Sequence, residues 1–477
     1  MRAVKDKGTT NTITNYIYNV LYQLLAFILP LVTAPYIARV LGPEKIGCYS
    51  YSQACAYYFV ILSMLGVNNY GNRSIAKVRN NQEELRTTFW NIYAIQFVLC
   101  LFAILCYVAL CFGQSKRYGV VVYTQIFYVM TGFLDINWLF FGLEKFKITV
   151  IRNMFIKLLT VFCVFIFVKS ENDLWIYGLI LAVSSALSCL YLWIYIPKLV
   201  PFCKPKLEIV RSHLKPDLLL FIPLVAVSLY KYMDKIMLGL MSSVLQVGYY
   251  ENAAKIINIP SALITALGTV MLPKISNLIA SKDFAACKKY IYNSMIFVNF
   301  SSVACFFGLI SVSKEITLLL FGEKFLPSVP LIELLAVSII FVAWANVIRT
   351  QYLIPNGIDK SYLFTVCLGA IVNIIANASL IPFMGATGAV IGTVFTEAIV
   401  CITQTIAVRK ELPIREYSKL LLFFGGDGLV MYIALMGLNQ VLYFNFVINL
   451  LIKVGAGTIC YVAIAFLGMK MKLVRIR

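Results

Sequence analysis

Histidine, metal-binding patterns and charged residues are all scarce in this sequence. Its 477 residues include a single histidine, His213, and only 13% are charged, compared with about 25% in soluble domains. The 13 cysteines are scattered, and no two of them form a CxxC pair. This pattern supports neither a zinc site nor a disulfide framework. We therefore expect no metal site and no cofactor.

Motifs of enzymes are missing as well. The glycine-rich segment FGGDG at 424–428 lacks the Lys-Ser/Thr pair of a phosphate-binding loop. Nothing resembles a nucleophile triad, the paired carboxylates of a glycosidase or an ATPase. The segments between apolar stretches are too short for a soluble catalytic domain. We predict that the chain is not an enzyme and has no catalytic residues.

Apolar residues, in contrast, are abundant. Hydrophobic residues make up 61% of the chain, where soluble domains have about 45–50%, so the excess must face lipid. About 20 apolar residues are needed to cross the hydrocarbon core. We therefore predict an all-α integral membrane protein of about fourteen transmembrane helices. The predicted spans are 13–38, 46–69, 88–112, 118–141, 148–168, 174–196, 217–240, 247–272, 290–312, 327–354, 361–381, 385–408, 418–438 and 446–468.

The basic residues predict an orientation for these spans. With the N-terminus inside, only seven of the 41 lysines and arginines fall in outer loops, and the cytoplasmic loops and tails hold most of the others. This bias is the usual signature of membrane topology, and it accounts for the net charge of +20. We predict a multi-pass protein with both termini in the cytoplasm.

A short internal sequence match predicts two related lobes. Gly47 and Tyr49 after span one match Gly248 and Tyr250 after span seven. Because the two matching segments are six spans apart, the repeat keeps its orientation in the membrane. We predict an N-lobe at 1–200 with spans one to six, a cytoplasmic linker at 201–216 and a C-lobe at 217–410 with spans seven to twelve. Spans 13 and 14 and a basic cytoplasmic tail occupy 411–477.

Ionisable residues interrupt more than half of the predicted spans. A Lys, Arg or Asp at the centre of a lipid-facing helix costs about 2.5–3.5 kcal/mol. The central ones must therefore line a wet cavity or pair with one another. Twelve such residues are Asp135, Lys157, Lys231, Asp234, Lys235, Glu251, Lys255, Glu333, Arg349, Glu397, Asp427 and Lys453.

Spans seven and eight carry the densest cluster. Lys231, Asp234 and Lys235 share one helical face, and Glu251 and Lys255 have the spacing of an ion pair. One interpretation is that internal salt bridges lock the two spans together. The other is that surplus cations attract an anionic group inside a central cavity; its cations are Lys231, Lys235, Lys255 and Arg349.

Three acids within the spans have two open interpretations. Asp135, Asp234 and Glu397 either bind a coupling proton or cation, as intramembrane carboxylates in transporters do, or have a structural role, in which they neutralise nearby cations or stay protonated and hydrogen-bonded.

Several segments together resemble the bacterial polysaccharide flippases of the Wzx type, which belong to the multidrug/oligosaccharidyl-lipid/polysaccharide exporter superfamily. The segments run in family order through about the first 410 residues. They are APYIARVLGPEKIGCYS, LGVNNYGNRSIAK, NWLFFGLEKFK, YMDKIMLGLMSSVLQVGYYENAAKI and PFMGATGAVIGTVFTE. Arg39, Arg73, Asp234 and Lys235 match recurrent positions of these motifs, so the resemblance adds Arg39 and Arg73 to the cationic cavity.

The resemblance implies a V-shaped bundle of two lobes, similar to multidrug/toxin extrusion transporters, in the bacterial cytoplasmic (inner) membrane. It implies movement of undecaprenyl-diphosphate-linked oligosaccharides to the outer leaflet by alternating access, driven by an ion gradient or the membrane potential. The expected partners are this glycan lipid, the phospholipid bilayer and other polysaccharide-assembly membrane proteins, with no nucleic acid. A lipid II flippase, a drug/cation antiporter and a membrane polysaccharide polymerase remain alternatives.

Overall fold

The computed structural model describes residues 2–440 and 445–470, with side chains from residue 29 onward except those of 30, 31, 230 and 469. Residues 471–477 of the predicted basic tail lie outside the described residues. The chain divides into two compact units, 1–228 and 229–477. Every regular element assigned in the described part of the chain is a helix.

The first unit contains ten helices and the first part of an eleventh. They are α1 (Arg2–Met64), α2 (Val67–Val78), α3 (Gln82–Tyr118), α4 (Val121–Thr124), α5 (Ile126–Val129), α6 (Thr131–Leu134), α7 (Asn137–Gly142), α8 (Phe146–Phe167), α9 (Leu174–Tyr191), α10 (Ile196–Leu199) and α11 (Leu207–Met241). Short 3-10 turns at Glu171–Asp173 and Leu192–Tyr195 flank α9.

One long helix contains predicted span one and most of span two, and predicted span four is divided into short helices. Helix α1 covers span one and span two as far as Met64, and it is interrupted at Gly42, whose positive φ of 73° is a conformation that glycine adopts without steric cost. The fourth predicted span, 118–141, is built from the four short helices α4 to α7. The chain leaves helical geometry at Asp135, whose ψ is 104°. Hydrophobic length alone does not reveal such breaks.

Aromatic packing forms the core of the first unit. Trp138 of α7 is fully buried and stacks on Phe89 of α3 with ring centroids 5.3 Å apart. Gly71 of α2 lies directly against the Trp138 ring, and a Cβ at this position would overlap it. Glycine is therefore required for α2 to approach α7.

The predicted linker 201–216 lies in the first unit. The backbone N–H of Lys206 donates to Asn91 Oδ1 at 2.8 Å. On α11, His213 Nδ1 is 2.6 Å from the Tyr70 hydroxyl. Helix α11 then continues without interruption past residue 228 into the second unit, with Pro216 and Pro223 inside it. The two-lobe boundaries proposed from the sequence stay predictions.

The second unit contains the rest of α11 and eight more helices. They are α12 (Val244–Ala280), α13 (Phe284–Leu320), α14 (Val329–Ala336), α15 (Ser338–Ile348), α16 (Asp359–Met384), α17 (Ala386–Val408), α18 (Ile414–Asn439) and α19 (Phe446–Lys470). A 3-10 segment, Glu323–Ser328, precedes α14, and a π-helical turn, Arg349–Leu353, follows α15. Helix α19 is tied to α13 by a Lys453–Glu315 ion pair and by Tyr461, whose hydroxyl donates to the Phe300 carbonyl at 2.9 Å.

The helices have the length and polarity of membrane spans. Eleven of them, within the described residues, are long and apolar enough to cross a membrane, and they coincide with predicted spans three and five to fourteen. Large apolar side chains such as Phe97, Leu101 and Leu105 are exposed along α3, where water would penalise them. The predicted all-α integral membrane fold is confirmed.

Candidate functional site

The charged cluster predicted in spans seven and eight lies in the second unit, where α11 and α12 run side by side after a tight turn. Ser243 directly precedes α12, and its side chain accepts a hydrogen bond from the Gln246 N–H at 3.3 Å and caps the helix. Two consecutive positions of α11 meet two consecutive positions of α12. Asp234 contacts Tyr250, and Lys235 contacts Glu251.

Asp234 is buried among neutral hydrogen-bond donors. Its side chain is only 2% exposed. One carboxylate oxygen, Oδ2, accepts from the Tyr250 hydroxyl at 2.5 Å and from the Thr393 hydroxyl at 3.0 Å, and Oδ1 accepts from the Asn377 amide at 2.6 Å. No lysine or arginine within the described residues forms an ion pair with it. Because a buried carboxylate without a counter-charge is costly, these three hydrogen bonds are needed to stabilise it.

The hairpin formed by α16 and α17 positions two of these donors. Asn377 lies on α16, where its amide also contacts Asn373 Oδ1 at 3.2 Å. Gly385 joins the two helices with a positive φ of 55°. The side chain of Gln246 on α12 accepts from the Ala386 N–H at 3.0 Å, which fixes the turn against α12. Four helices thus converge on Asp234.

Lys235, the residue after Asp234 on α11, belongs to a cluster with surplus positive charge. Its ammonium is 2.6 Å from Glu251 Oε2, and the Lys255 ammonium is 3.8 Å from Glu251 Oε1. The predicted Glu251–Lys255 ion pair is therefore confirmed. Two lysines share one carboxylate, so the group carries a net charge of about +1 when all three residues are ionised. The Lys255 side chain is 38% exposed, so it can reach a ligand.

The other predicted residues of the second unit, Lys231, Arg349 and Glu397, form no hydrogen bond or ion pair with this cluster within the described residues. Lys231 is exposed one turn before Lys235 on α11. Arg349 begins the π-helical turn and places its guanidinium 5.8 Å from the centre of the Tyr362 ring. Glu397 is half-buried on α17, one turn after Thr393, and it has no hydrogen-bond or ion-pair partner within the described residues.

The first unit holds Arg39, Arg73 and Asp135. Arg39 on α1 and Arg73 on α2 are both exposed. Asp135 Oδ1 accepts from the backbone N–H and the side-chain amide of Asn137 at 2.9 and 2.6 Å. Asn137 in turn accepts a hydrogen bond from Arg152 at 3.1 Å, so a cation is linked to Asp135 through one intervening side chain.

Sequence reasoning missed four contributors to these networks. Tyr250, Asn377 and Thr393 complete the Asp234 pocket, and Arg152, which is only 5% exposed, supports Asp135. Asn373 and Asn377, spaced i and i+4 in an apolar span, were the one available signal, since paired amides in such a helix seek polar partners. A threonine or tyrosine in a span gives no comparable signal.

Comparison with known proteins decides the family. Residues 12–279, more than half of the chain, match the family described as "Polysaccharide biosynthesis protein". The chain belongs to this family.

One relative matches most of the chain. The chain is 23% identical over 404 residues to a putative O-antigen transporter of Escherichia coli K12, which corresponds to 83% of this chain and 96% of the relative. The predicted polysaccharide-flippase family and the prediction of a membrane transporter rather than an enzyme are both confirmed.

Two solved structures share the fold of this chain. The lipid II flippase MurJ in an inward closed conformation matches with a TM-score of 0.75 and 15% identity, covering 95% of this chain and 100% of that one. An inward-facing multidrug resistance MATE family transporter matches with a TM-score of 0.62 and 12% identity, covering 82% and 94%. At these identities the likeness concerns the fold.

Proposed function

We propose that this protein is a flippase that moves undecaprenyl-diphosphate-linked oligosaccharide units from the cytoplasmic to the outer leaflet by alternating access. The Lys235–Glu251–Lys255 group carries this proposal, because two lysines compensated by one carboxylate leave positive charge among apolar helices. A diphosphate cannot enter hydrocarbon unaided, since removing even one ion from water costs several kcal/mol. The surplus cation offers the diphosphate a counter-charge within the membrane.

The polyprenyl tail places no comparable demand on the protein. Its hydrocarbon chain is stable in the bilayer, so only the diphosphate and the sugars need a polar path. Lys231 and Arg349 are further proposed contacts for the anion in the second unit. Arg39 and Arg73 are proposed separately as anion contacts of the first unit. The name of the relative, an O-antigen transporter, supports a lipid-linked glycan as the substrate.

We propose Asp234 as the site of the coupling ion. Its three donors are neutral and come from α12, α16 and α17, so its negative charge is compensated only when a proton or a monovalent cation is bound. Arrival or loss of that ion changes the electrostatics beside Lys235, the next residue on α11. An ion gradient would in this way drive exchange between states of the flippase. Asp135 is proposed as a charge-balancing acid, because Asn137 links it to Arg152. Glu397, which has no ion-pair partner within the described residues, is proposed as a second candidate for the coupling ion.

Orientation and location follow from the same proposal. We propose that both termini lie in the cytoplasm, which the basic loops support, and that the protein lies in the bacterial inner membrane, where its proposed lipid carrier would be. Other polysaccharide-assembly membrane proteins would supply the substrate and consume the product.

Deletion of the gene, with lipid-linked sugars analysed leaflet by leaflet, tests this function. We expect complete oligosaccharide units to accumulate on the cytoplasmic leaflet, and a plasmid copy of the gene to reverse the accumulation. Single units accumulating in the outer leaflet would instead indicate a polymerase. Accumulation of lipid II, with the oligosaccharide carrier unchanged, would indicate a lipid II flippase.

A further inference from the structure

One buried acid of the second unit takes no part in the proposed transport path. Asp427 belongs to the FGGDG segment and lies near the middle of the 26-residue helix α18. Its side chain is only 3% exposed. Both carboxylate oxygens are shielded from solvent, and neither forms a hydrogen bond within the described residues. Because buried polar groups are nearly always paired, this carboxyl group needs a physical explanation.

Asp427 lies on the face by which α18 packs against α13 and α19. Phe424 and Met431, about one turn to either side of it, are buried on the same face. Gly428 lies directly against α13, where a Cβ would overlap the Phe307 ring. Helix α19 packs on both α13 and α18. The carboxyl group is therefore enclosed by helices and does not face lipid.

The lysines of α18 and α13 are too distant to neutralise Asp427. On α18, Lys419 precedes it by eight residues, which is about 12 Å along the helix. On α13, Lys314 follows Phe307 by seven residues, or about 10 Å. In the part of the chain that the structure describes, no lysine or arginine forms an ion pair with Asp427.

The lysine within α19 is also committed elsewhere. Lys453 forms an ion pair with Glu315 of α13. It precedes Tyr461, the residue of α19 that lies within electrostatic range of Asp427, by eight residues or about 12 Å of helix. The Lys453–Glu315 pair therefore balances its own charge and leaves that of Asp427 uncompensated.

The titratable groups that face Asp427 are a phenol and a thiol. The Tyr461 hydroxyl donates to the Phe300 carbonyl at 2.9 Å, so its hydrogen is used there. Cys305 of α13 lies close to Tyr461. Exposed tyrosine and cysteine side chains are neutral at pH 7, and burial favours the neutral form further. Neither group supplies a counter-charge.

These surroundings suit a proton rather than a metal cation. Hard cations require several oxygen ligands, whereas the side chains next to Asp427 on the buried face, those of Phe424 and Met431, provide none. A proton needs only the carboxylate itself. Because burial of an uncompensated charge is costly, protonation removes the cost of placing this acid between three helices.

We propose that Asp427 is a proton-binding site, and that its protonated form allows α18 to pack against α13 and α19. Loss of the proton leaves a charge at this interface and weakens the packing. An Asp exposed to water is ionised above about pH 4, so in that range unpacking releases a proton and becomes more favourable as the pH rises. The packing equilibrium falls by up to tenfold for each pH unit, until Asp427 also ionises in the packed helix.

Infrared spectroscopy of the purified full-length protein, in a detergent without carbonyl groups, tests the protonation. We expect Asp427→Asn to remove the carbonyl band of one protonated carboxyl group from the spectrum at neutral pH. The control is Asp359→Asn, which changes an exposed acid in the first turn of α16 and should leave that band unchanged. If Asp427→Asn does not fold, Asp427→Leu supplies another neutral side chain and should remove the same band.

Hydrogen exchange tests the packing. The amides of α18 around Asp427 are compared between the wild type and Asp427→Asn at the same pH, so that the intrinsic exchange rate cancels. We expect the two proteins to agree near pH 4 and the wild type to exchange increasingly faster above it, by up to tenfold for each pH unit. Asp359→Asn should follow the wild type at every pH.

The inference is overturned if the carboxyl band is the same in the wild type and Asp427→Asn, or if α18 has the same pH dependence of exchange in both. Protection of α18 that requires sodium, with Asp427 ionised, would also overturn it and would indicate a metal cation. The proton site does not rest on the proposed function, and neither measurement involves transport. Failure of the proposed flippase would therefore leave the site intact.

Discussion

Two aspartates at membrane depth, Asp234 in the second unit and Asp135 in the first, are held in different ways. Asp234 receives donors from three other helices, and all of them are neutral. Asp135 receives its donors from Asn137, two residues along the chain, and that side chain is linked to Arg152. A change of charge at Asp234 therefore acts on four helices, whereas the surroundings of Asp135 already contain a permanent cation. Position within a membrane span alone therefore does not distinguish a candidate ion-binding acid from a structural one.

The largest expected effect separates the two acids directly. Asp234→Asn keeps the shape of the side chain but removes its charge, so a coupling ion loses its counter-charge. We expect ion-driven transport of the lipid-linked glycan in proteoliposomes to fall about 100-fold, equivalent to about 2.7 kcal/mol. The matched Asp135→Asn variant should stay within threefold of the wild type. Equal losses in both variants would remove the distinction between the acids.

A somewhat smaller effect is expected at the neighbouring cation. Lys235→Gln leaves Glu251 with Lys255 alone, at 3.8 Å, and removes the surplus charge proposed to attract the diphosphate. We expect about a tenfold loss of transport, measured in the same assay, with Lys235→Arg restoring most of it. Failure of the arginine variant to restore transport would show that the geometry of lysine, rather than its charge, is needed.

Removal of one donor should weaken the Asp234 pocket without destroying it. Tyr250→Phe deletes the hydroxyl that lies 2.5 Å from the carboxylate, and a hydrogen bond to a charged group contributes about 1.5–3 kcal/mol. We expect the concentration of the coupling ion that gives half-maximal transport to shift by about tenfold to 150-fold, with little change in the maximal rate. Tyr249→Phe, on the preceding residue, is the control and should cause no shift.

The smallest effect on transport is expected in the first unit. Arg152→Gln removes hydrogen bonds to Asn137 and Asn153, which stabilise the region around the break in span four. We expect the melting temperature of the detergent-purified protein to fall by a few degrees, because a buried charged hydrogen bond contributes about 1.5–3 kcal/mol. Transport per folded molecule should remain within threefold, and a loss as large as that of Asp234→Asn would make the first unit part of the coupling mechanism.

The sequence predicted the features that depend on one helix or on one turn between helices. Hydropathy located eleven spans that the structure confirms, and helical spacing predicted the Glu251–Lys255 pair. The packing of α16 and α17 around Asp234 was not predictable, because Asn377 and Thr393 are more than 140 residues from it in the chain. The division of span four escaped prediction for another reason, since Asp135 and Asn137 stabilise a local break that apolar length conceals.

The Gly385 turn fixes the positions of two hydrogen-bond donors relative to Asp234. Asn377 lies eight residues before Gly385 and Thr393 eight residues after it, so both donors occupy the same level, about 12 Å from the turn at the helical rise per residue. Inserting or deleting one residue on either arm would rotate a donor away by about 100°. The number of residues between Asn377 and Thr393 is therefore constrained, and related chains that retain both donors should align across the hairpin without gaps.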